Sequence, residues 1–243
     1  METGGTKLIM TIIIKSENWE SVTAPAIPAG WTLTGWDSTN LITTTAQKVS
    51  GVNSVKSGDN SSNVCGGYWN TTTDGNCGDS QVTMSFYLES TIGTGQSFGL
   101  ICRAVNPPLT DCYKMTLNVG SNTINLSVYI GGVSSTITSQ AATLATGIWY
   151  TCRLKCLLNT VNIRVQRASD SNYLTSANTW QAASVDCIVV TDSTPGRPSG
   201  TGYGGFFLNN ADFPASTVDI TYADDFLFES LGNKGSFFPF FNY

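Results

Sequence analysis

A chain of 243 residues with 41% hydrophobic but only 12% charged residues has apolar material for a real core, and its solubility rests on hydroxyls and amides rather than on charge. Twelve Lys and Arg against seventeen Asp and Glu leave a net charge of −5, without the clustered cations that nucleic-acid capture needs. The absence of histidine removes every mechanism built on an imidazole base.

Residues 1–7 read as a polar N-terminal arm. The run at 8–14 (L-I-M-T-I-I-I) is far shorter than the ~18 apolar residues of a membrane span and reads as a strand, not a signal peptide. No membrane partner is expected. Further strands are expected at 41–49, 54–57, 81–89, 96–104, 111–119, 123–130, 134–138, 148–158 and 160–167. Between them lie turn signals such as Gly93-Thr94-Gly95, Asn106-Pro107-Pro108 and Gly131-Gly132. Residues 65–79 read as a long decorated loop, and 141–147 as a possible helical turn. An irregular stretch, 170–204, contains a strand-like piece at 184–190, and strands at 205–209 and 217–230 close the pattern. In the last of these, alternation shifts at Asp224-Asp225, so that Val218, Ile220, Tyr222 and then Phe226 and Phe228 share the apolar role. Many short alternating strands with turns between them imply an all-β, two-sheet antiparallel β-sandwich of the jelly-roll type. One domain is expected over 8–231, followed by an aromatic C-terminal tail at 232–243.

Seven cysteines occur without a C-x-x-C pair, which argues against zinc-ribbon and thioredoxin chemistry. Cys152 and Cys156 share one face of one strand about 13 Å apart, too far to bond, and serve as small core residues. Cys65 and Cys77 bracket a loop that a disulfide would close. Cys102 and Cys112 flank a hairpin centred near Pro107 and are the other candidate pair. The odd count leaves at least one thiol free within a single chain.

The order of motifs carries more than any one of them. Trp19-Glu20 ends an early strand and is followed by I-P-A-G-W-T at 27–32. Later come G-I-W-Y-T-C-R-L at 147–154, V-N-I-R-V at 161–165, G-Y-G-G-F-F at 202–207 and Y-A-D-D-F-L-F at 222–228. Over residues 19–229 this set is similar to the concanavalin A-like lectin/glucanase superfamily, in its laminin-G-like branch. The resemblance implies that the first and last strands are sheet neighbours. It also implies a structural calcium between them, held by Glu20 and Asp225, with backbone carbonyls, and Asp37 as a further candidate, completing the shell. The alternative is that Asp224 and Asp225 accept hydrogen bonds from loop amides or pair with a cation. Trp31 and Trp149 belong to the motifs and are expected in the core.

Catalysis is not expected. Glycosidases of this fold carry acids alternating along one strand, and the strands 82–88, 97–103 and 113–119 hold no interior carboxylate. Tyr113 and Lys114 are adjacent in a strand and so face opposite sides. Carbohydrate binding needs exposed rings with amides and acids nearby, which Tyr68, Trp69, Asn70 and Asp74 offer, with Tyr173 and Trp180 as second candidates. Phe237, Phe238, Phe240, Phe241 and Tyr243 put five aromatics into the last seven residues, a pattern suited to docking on a neighbouring subunit or, alternatively, to lying back over its own sheet. These features lead to the expectation of a non-enzymatic virion structural protein, of the bacteriophage capsid decoration or cement type. Its partners would be the major capsid protein or other virion subunits, and its place the virion surface. The alternatives are a carbohydrate-binding module or viral adhesin head, extracellular in that case, and, further off, a divergent glycan hydrolase or lyase.

Overall fold

Alternation of apolar and polar residues gives a strand one face to bury, and two sheets laid face to face bury it on both. The computed structural model describes residues 11–35, 41–57, 64–69, 78–89, 96–105, 110–210 and 221–231, and these form that arrangement. Its strands are β1 (Ile12–Glu17), β2 (Trp31–Gly35), β3 (Leu41–Thr44), β4 (Ser54–Ser57), β5 (Val64–Trp69) and β6 (Ser80–Leu88). They continue with β7 (Gln96–Val105), β8 (Asp111–Asn118), β9 (Thr123–Ile130), β10 (Val133–Ala141), β11 (Ile148–Leu157) and β12 (Thr160–Arg167). The last five are β13 (Tyr173–Leu174), β14 (Trp180–Gln181), β15 (Ile188–Thr191), β16 (Tyr203–Asn210) and β17 (Thr221–Ser230).

One sheet has ten strands in the order β14-β13-β12-β11-β6-β17-β4-β3, with β1 added to β17 and β15 to β12. The other has seven, in the order β10-β9-β8-β7-β16-β5-β2. Every pairing is antiparallel. The all-β jelly-roll sandwich expected from the sequence is therefore the fold. The first described strand and the last are neighbours, with Glu17 opposite Phe226 and Ile12 opposite Ser230.

The core lies between the sheets. The ten-stranded sheet contributes Val82, Met84, Phe86, Tyr150, Cys152, Leu154, Val161, Ile163 and Val165, and the seven-stranded sheet Phe98, Leu100, Met115, Leu117, Leu126 and Phe206. Phe86 and Phe98 meet across the gap at 4.6 Å. At one end Trp31 packs against Trp19, Phe206, Phe226 and Trp69, with ring centroids 4.8–5.9 Å away.

The shift expected at the Asp pair is a β-bulge. Pairing with β6 slips between Asp224 and Leu227, and Asp225 takes φ 52°. The extra residue keeps Ala223 and both Phe226 and Phe228 in the core. It also changes the partner on the other edge of β17, from β4 beside Tyr222 and Ala223 to β1 beyond Phe226.

Several expectations are corrected. Residues 64–69 at the start of the expected loop form β5. Its glycines obscure the pattern but are required, because a Cβ on Gly66 would stand 2.3 Å from the carbonyl oxygen of Phe206. Residues 31–35 form β2, and a small hairpin, β13–β14, lies inside the irregular stretch. Residues 141–147 make no helical turn: Ala141 ends β10, and Ala142 N–H bonds back to Asn122 O. Cys102 and Cys112 are free thiols. Register sets Cys102 opposite Tyr113, so Cys112 falls on the other face of the sheet. Cys102 lies in the core, 3.1 Å from Ser80 Oγ, and Cys112 lies outside it. Cys77 and the side chain of Cys65 lie outside the described residues, as do residues 1–10 and 232–243.

Candidate functional site

Alternation that fills the core with one half of β11 and β12 sends the other half to the outer face of the ten-stranded sheet. On β11 this outer set is Trp149, Thr151, Arg153 and Lys155, and on β12 it is Asn162, Arg164 and Gln166. Register places them in rows across the face. Trp149 stands beside Tyr87, which stands beside Tyr222. In the next row Gln166 and Thr151 lead to Ser85, followed by Arg164, Arg153 and Thr83 in a third. Asn162, Lys155 and Gln81 form the fourth row, which reaches Glu229 on β17. Apart from Tyr222 and Ser85 these side chains are half-exposed.

Trp149 is thus an outer-face residue, a correction to its expected place in the core. Its ring lies 5.4 Å from that of Tyr87, tilted by 47°, and Tyr87 meets Tyr222 edge-on at 6.1 Å. Thr151 and Ser85 hydroxyls share a hydrogen bond of 2.9 Å. Beyond them Asp186 fixes the arginines. Its Oδ1 accepts Arg153 Nη2 at 2.6 Å and Arg164 Nε at 2.8 Å, while its Oδ2 accepts Asn162 Nδ2 at 2.9 Å. Arg164 also lies 5.7 Å from the centre of the Tyr173 ring. The segment carrying Asp186 continues into β15 and borders a cleft of about 550 Å³, whose opposite wall is Thr138–Ala141 on the edge strand β10. A half-exposed indole beside fixed hydroxyls, amides and guanidinium groups can stack on one face of a sugar and hydrogen-bond its rim.

The outer face of the seven-stranded sheet is different. Phe207, Ile101, Ala104 and Cys112 form a second, buried apolar cluster there, with Tyr129 and Tyr203 against it. Lys114 Nζ sits 3.9 Å from the Phe207 ring centre, and burial pulls its ammonium below the usual lysine range. Lys114 and Tyr113 do face opposite sides, since Tyr113 is in the core and donates to Asp192 Oδ2 at 2.7 Å.

The sequence-derived carbohydrate candidates do not come together as one set. Tyr68, 1% exposed, is on the outer side of β5 beside Tyr203, at 6.0 Å. Trp69 points the other way, edge-on to Trp31 at 5.9 Å, with Lys15 Nζ 4.2 Å from its centre. The two belong to opposite faces because they are adjacent in a strand. Asn70 and Asp74 lie outside the described residues. Trp180 packs on Tyr150 at 5.9 Å and carries Arg167 4.5 Å from its ring centre.

The proposed calcium ligands converge on residues 49–53 rather than on each other. Glu20 Oε1 accepts the N–H groups of Val52 and Asn53, both at 2.7 Å. Asp225 Oδ1 accepts Ser50 Oγ at 2.6 Å. Asp224, fully buried beneath the same segment, accepts Val49 N–H at 2.8 Å, Ser50 N–H at 3.2 Å and Asp225 N–H at 2.8 Å. Burial pushes its carboxyl up to about 6, although these N–H groups pull the other way. The loop-amide alternative thus describes Asp224. Among the described residues no group of three or more His, Cys, Asp or Glu is arranged to hold a metal. Asp37 lies outside them, and so do Phe237, Phe238, Phe240, Phe241 and Tyr243.

Arg103 was not foreseen. It is 1% exposed at a bulge in β7 and donates to the carbonyls of Gly78, Leu158 and Pro198 and to Asp79 Oδ1 at 2.7–3.1 Å. It locks three loops at one end of the sandwich. The only signal was a lone cation closing an apolar strand.

No family model matches the sequence, and no curated protein aligns with it. Solved structures share its fold. The CBM2 module of the evolved Dit protein of Lactobacillus casei BL23 phage J-1 superposes with a TM-score of 0.58 at 11% identity, over 93% of this chain and 98% of that one. The exoplasmic/lumenal domain of VIP36 in its Ca2+/Man3GlcNAc-bound form gives 0.56 at 14%, over 85% and 86%. The carbohydrate-binding module CBM66 from Bacillus subtilis gives 0.54 at 12%, over 83% and 96%. The chain is accordingly similar in fold to lectin-like jelly rolls.

Proposed function

We propose that this protein is a non-catalytic carbohydrate-binding module whose site is the outer face of the ten-stranded sheet. The observation that carries the reading is the half-exposed Trp149–Tyr87 pair, set beside hydroxyl, amide and guanidinium groups that neighbouring residues hold in place. The three neighbours named above, two carbohydrate-binding modules and the Man3GlcNAc-bound VIP36 domain, support it by analogy of fold. A non-catalytic role fits the buried and half-buried carboxylates. Asp79 serves Arg103 and Leu158 N–H, Asp192 serves Tyr113 and Thr194, and Asp186 serves two arginines. A glycan array probed with the wild type and with Trp149→Ala tests the proposal. Wild-type binding is expected to disappear in the variant while the melting curve stays cooperative. Absence of wild-type binding to every glycan would refute it.

A second reading places the module on a virion. It draws support from the CBM2 module of the phage J-1 evolved Dit, which matches nearly end to end. In this reading Phe237, Phe238, Phe240, Phe241 and Tyr243 dock on a capsid or other virion subunit, and removing residues 232–243 abolishes incorporation into particles. Particles that still carry the truncated protein would defeat it. Calcium has one parallel, the Ca2+-bound VIP36 domain, and one obstacle, the donors already on Glu20 and Asp225. The melting midpoint is expected to be the same with and without EDTA. A fall of several degrees on chelation would reinstate the ion.

A further inference from the structure

Charge is unevenly spread on the proposed binding face. Arg153 and Arg164 are directly opposite one another on β11 and β12, a like-charge cross-strand pair of the kind that destabilises a sheet unless something lies between them. Asp186 lies between them, but a single oxygen receives both guanidinium groups. Lys155 follows two residues along β11, next to uncharged Asn162 and Gln81. The acid nearest in that row is Glu229, whose Oε2 accepts Gln81 Nε2 at 2.5 Å. In the two rows that carry them, Lys155, Arg153 and Arg164 against Asp186 and Glu229 leave one positive charge in excess, whereas the acids Asp224, beside Ser85, and Glu89, at Tyr222, lie toward the aromatic rows.

Donor capacity is in excess as well. Two guanidinium groups offer ten N–H donors. Among the described residues, Arg153 Nη2 and Arg164 Nε are the ones with acceptors, and Arg153 Nε is buried without one. Arg153 and Arg164 remain 19% and 28% exposed, so an incoming ligand can reach them. Two partly exposed forks held side by side by a shared carboxylate match the paired oxygens of a carboxylate or phosphate group.

We propose that the glycan taken by this face is acidic. An aromatic end, Trp149 and Tyr87, stacks on a sugar ring, and a cationic end, Arg153, Arg164 and Lys155, receives a carboxylate or phosphate on the same chain. This rests on the carbohydrate-binding reading of the face and specifies the ligand class within it. Register separates Trp149 from Arg153 by four residues, about 13 Å, so the ring and the anion belong to different sugar units of one chain.

The test uses the full chain and an array carrying neutral glycans, uronic-acid glycans and phosphate-bearing glycans. It is followed by affinity gels cast with polygalacturonate, with its methyl ester and with a glycerol-phosphate polymer. Array hits are expected only among carboxylate- or phosphate-bearing glycans, and the gels identify which anion is preferred. Arg164→Gln and Arg153→Gln are expected to weaken binding about tenfold or more. Arg164→Lys should restore part of it, and Lys48→Gln, which removes an exposed charge from a different segment, should leave it unchanged. Near-ultraviolet circular dichroism shows whether each variant is folded. Should Arg153→Gln not fold, Lys155→Gln and Arg164→Gln still read the cationic end. Hits confined to neutral glycans, or arginine variants that bind as the wild type does, overturn the acidic-glycan inference and leave the carbohydrate reading standing. Binding to acidic polymers that falls equally in Lys48→Gln marks a non-specific charge effect and also overturns it. No hit of any kind defeats the carbohydrate reading, and this inference with it.

Discussion

The two outer faces of the sandwich carry similar residue types and put them to different use. On the seven-stranded sheet the rings lie against bare backbone. A Cβ on Gly99 would come within 1.9 Å of Met115 O and 2.9 Å of the Phe207 ring, and one on Gly205 within 2.8 Å of Tyr68 Cβ. Phe207 and Tyr68 are 3% and 1% exposed, so their rings complete the packing and leave nothing to present. On the ten-stranded sheet Trp149 and Tyr87 stand half-exposed among side chains with hydrogen-bonding capacity to spare. An aromatic residue on a sheet face therefore says little by itself. What distinguishes a binding platform is whether the ring's open side meets solvent and whether its neighbours have donors left over.

The sharpest way to break this contrast is to truncate a ring on the closed face. Phe207→Ala removes a buried ring that packs with Ile101, Ala104 and Cys112, and is expected to cost about 3–5 kcal/mol in urea unfolding. The fraction that remains folded should bind glycan as the wild type does. A loss below about 1 kcal/mol would mean that the closed face is not closed, and the distinction would fail.

The open face has one covered corner, at Asp224, and pH probes it. Asp224 binds its proton more tightly folded, at about 6, than unfolded, near the ordinary 3.8. Folding therefore takes up a proton between those values. Its contribution to stability is fully present below the unfolded value and is lost as pH rises through about 6, with a cost of about 3 kcal/mol above that. Comparing wild type with Asp224→Asn isolates this slope from the other carboxylates. The wild type should weaken relative to the variant between pH 4 and pH 7. Parallel curves would show that the N–H groups of Val49, Ser50 and Asp225 fully offset the burial.

The sequence carried the sandwich and much less of the site. Core-facing alternation in 148–157 and 160–167 is strong enough to set both strands and their pairing, and the double Asp announced the bulge in β17. The same period that buries Tyr150, Cys152 and Leu154 places Trp149, Thr151, Arg153 and Lys155 together on the other face, so the polar half was present in the sequence. Assigning Trp149 to the core by motif hid that set. Asp186 was not legible, because the segment before β15 has no periodicity and its carboxylate meets Arg153 and Arg164 only through tertiary folding. Tyr68-Trp69 misled in the opposite way: two neighbouring aromatics in a strand look like a patch but belong to two faces. Gly66-Gly67 concealed β5 because the glycines there serve close packing rather than a turn, Gly66 against the backbone of β16 and Gly67 against the Trp31 ring of β2.

Trp149→Ala tests the open face from the stability side. Its ring is only partly buried and pairs with that of Tyr87, so truncation is expected to cost about 1 kcal/mol in urea unfolding, well below Phe207→Ala. Equal losses at the two positions would make Trp149 a packing residue and remove it from the binding face.

The smallest effect should come from Lys114, where two opposing contributions meet. Burial disfavours its ammonium, while the Phe207 ring 3.9 Å away and Tyr129 at 6.0 Å attract it. A cation over a ring is worth about 0.5–1 kcal/mol when exposed and about 2 kcal/mol when desolvated, as Lys114 partly is. Lys114→Met keeps the stem against Phe207 and removes both contributions together, so unfolding free energy is expected to stay within about 0.5 kcal/mol of wild type. Glycan affinity is expected not to move, because this cation lies on the opposite face from Arg153 and Arg164. The open-face arginines differ: under the acidic-glycan proposal their charge is the feature that a ligand would meet. A fall in affinity at Lys114→Met comparable to that at Arg164→Gln would place the cationic end of the site on the seven-stranded sheet and reverse the assignment of the two faces.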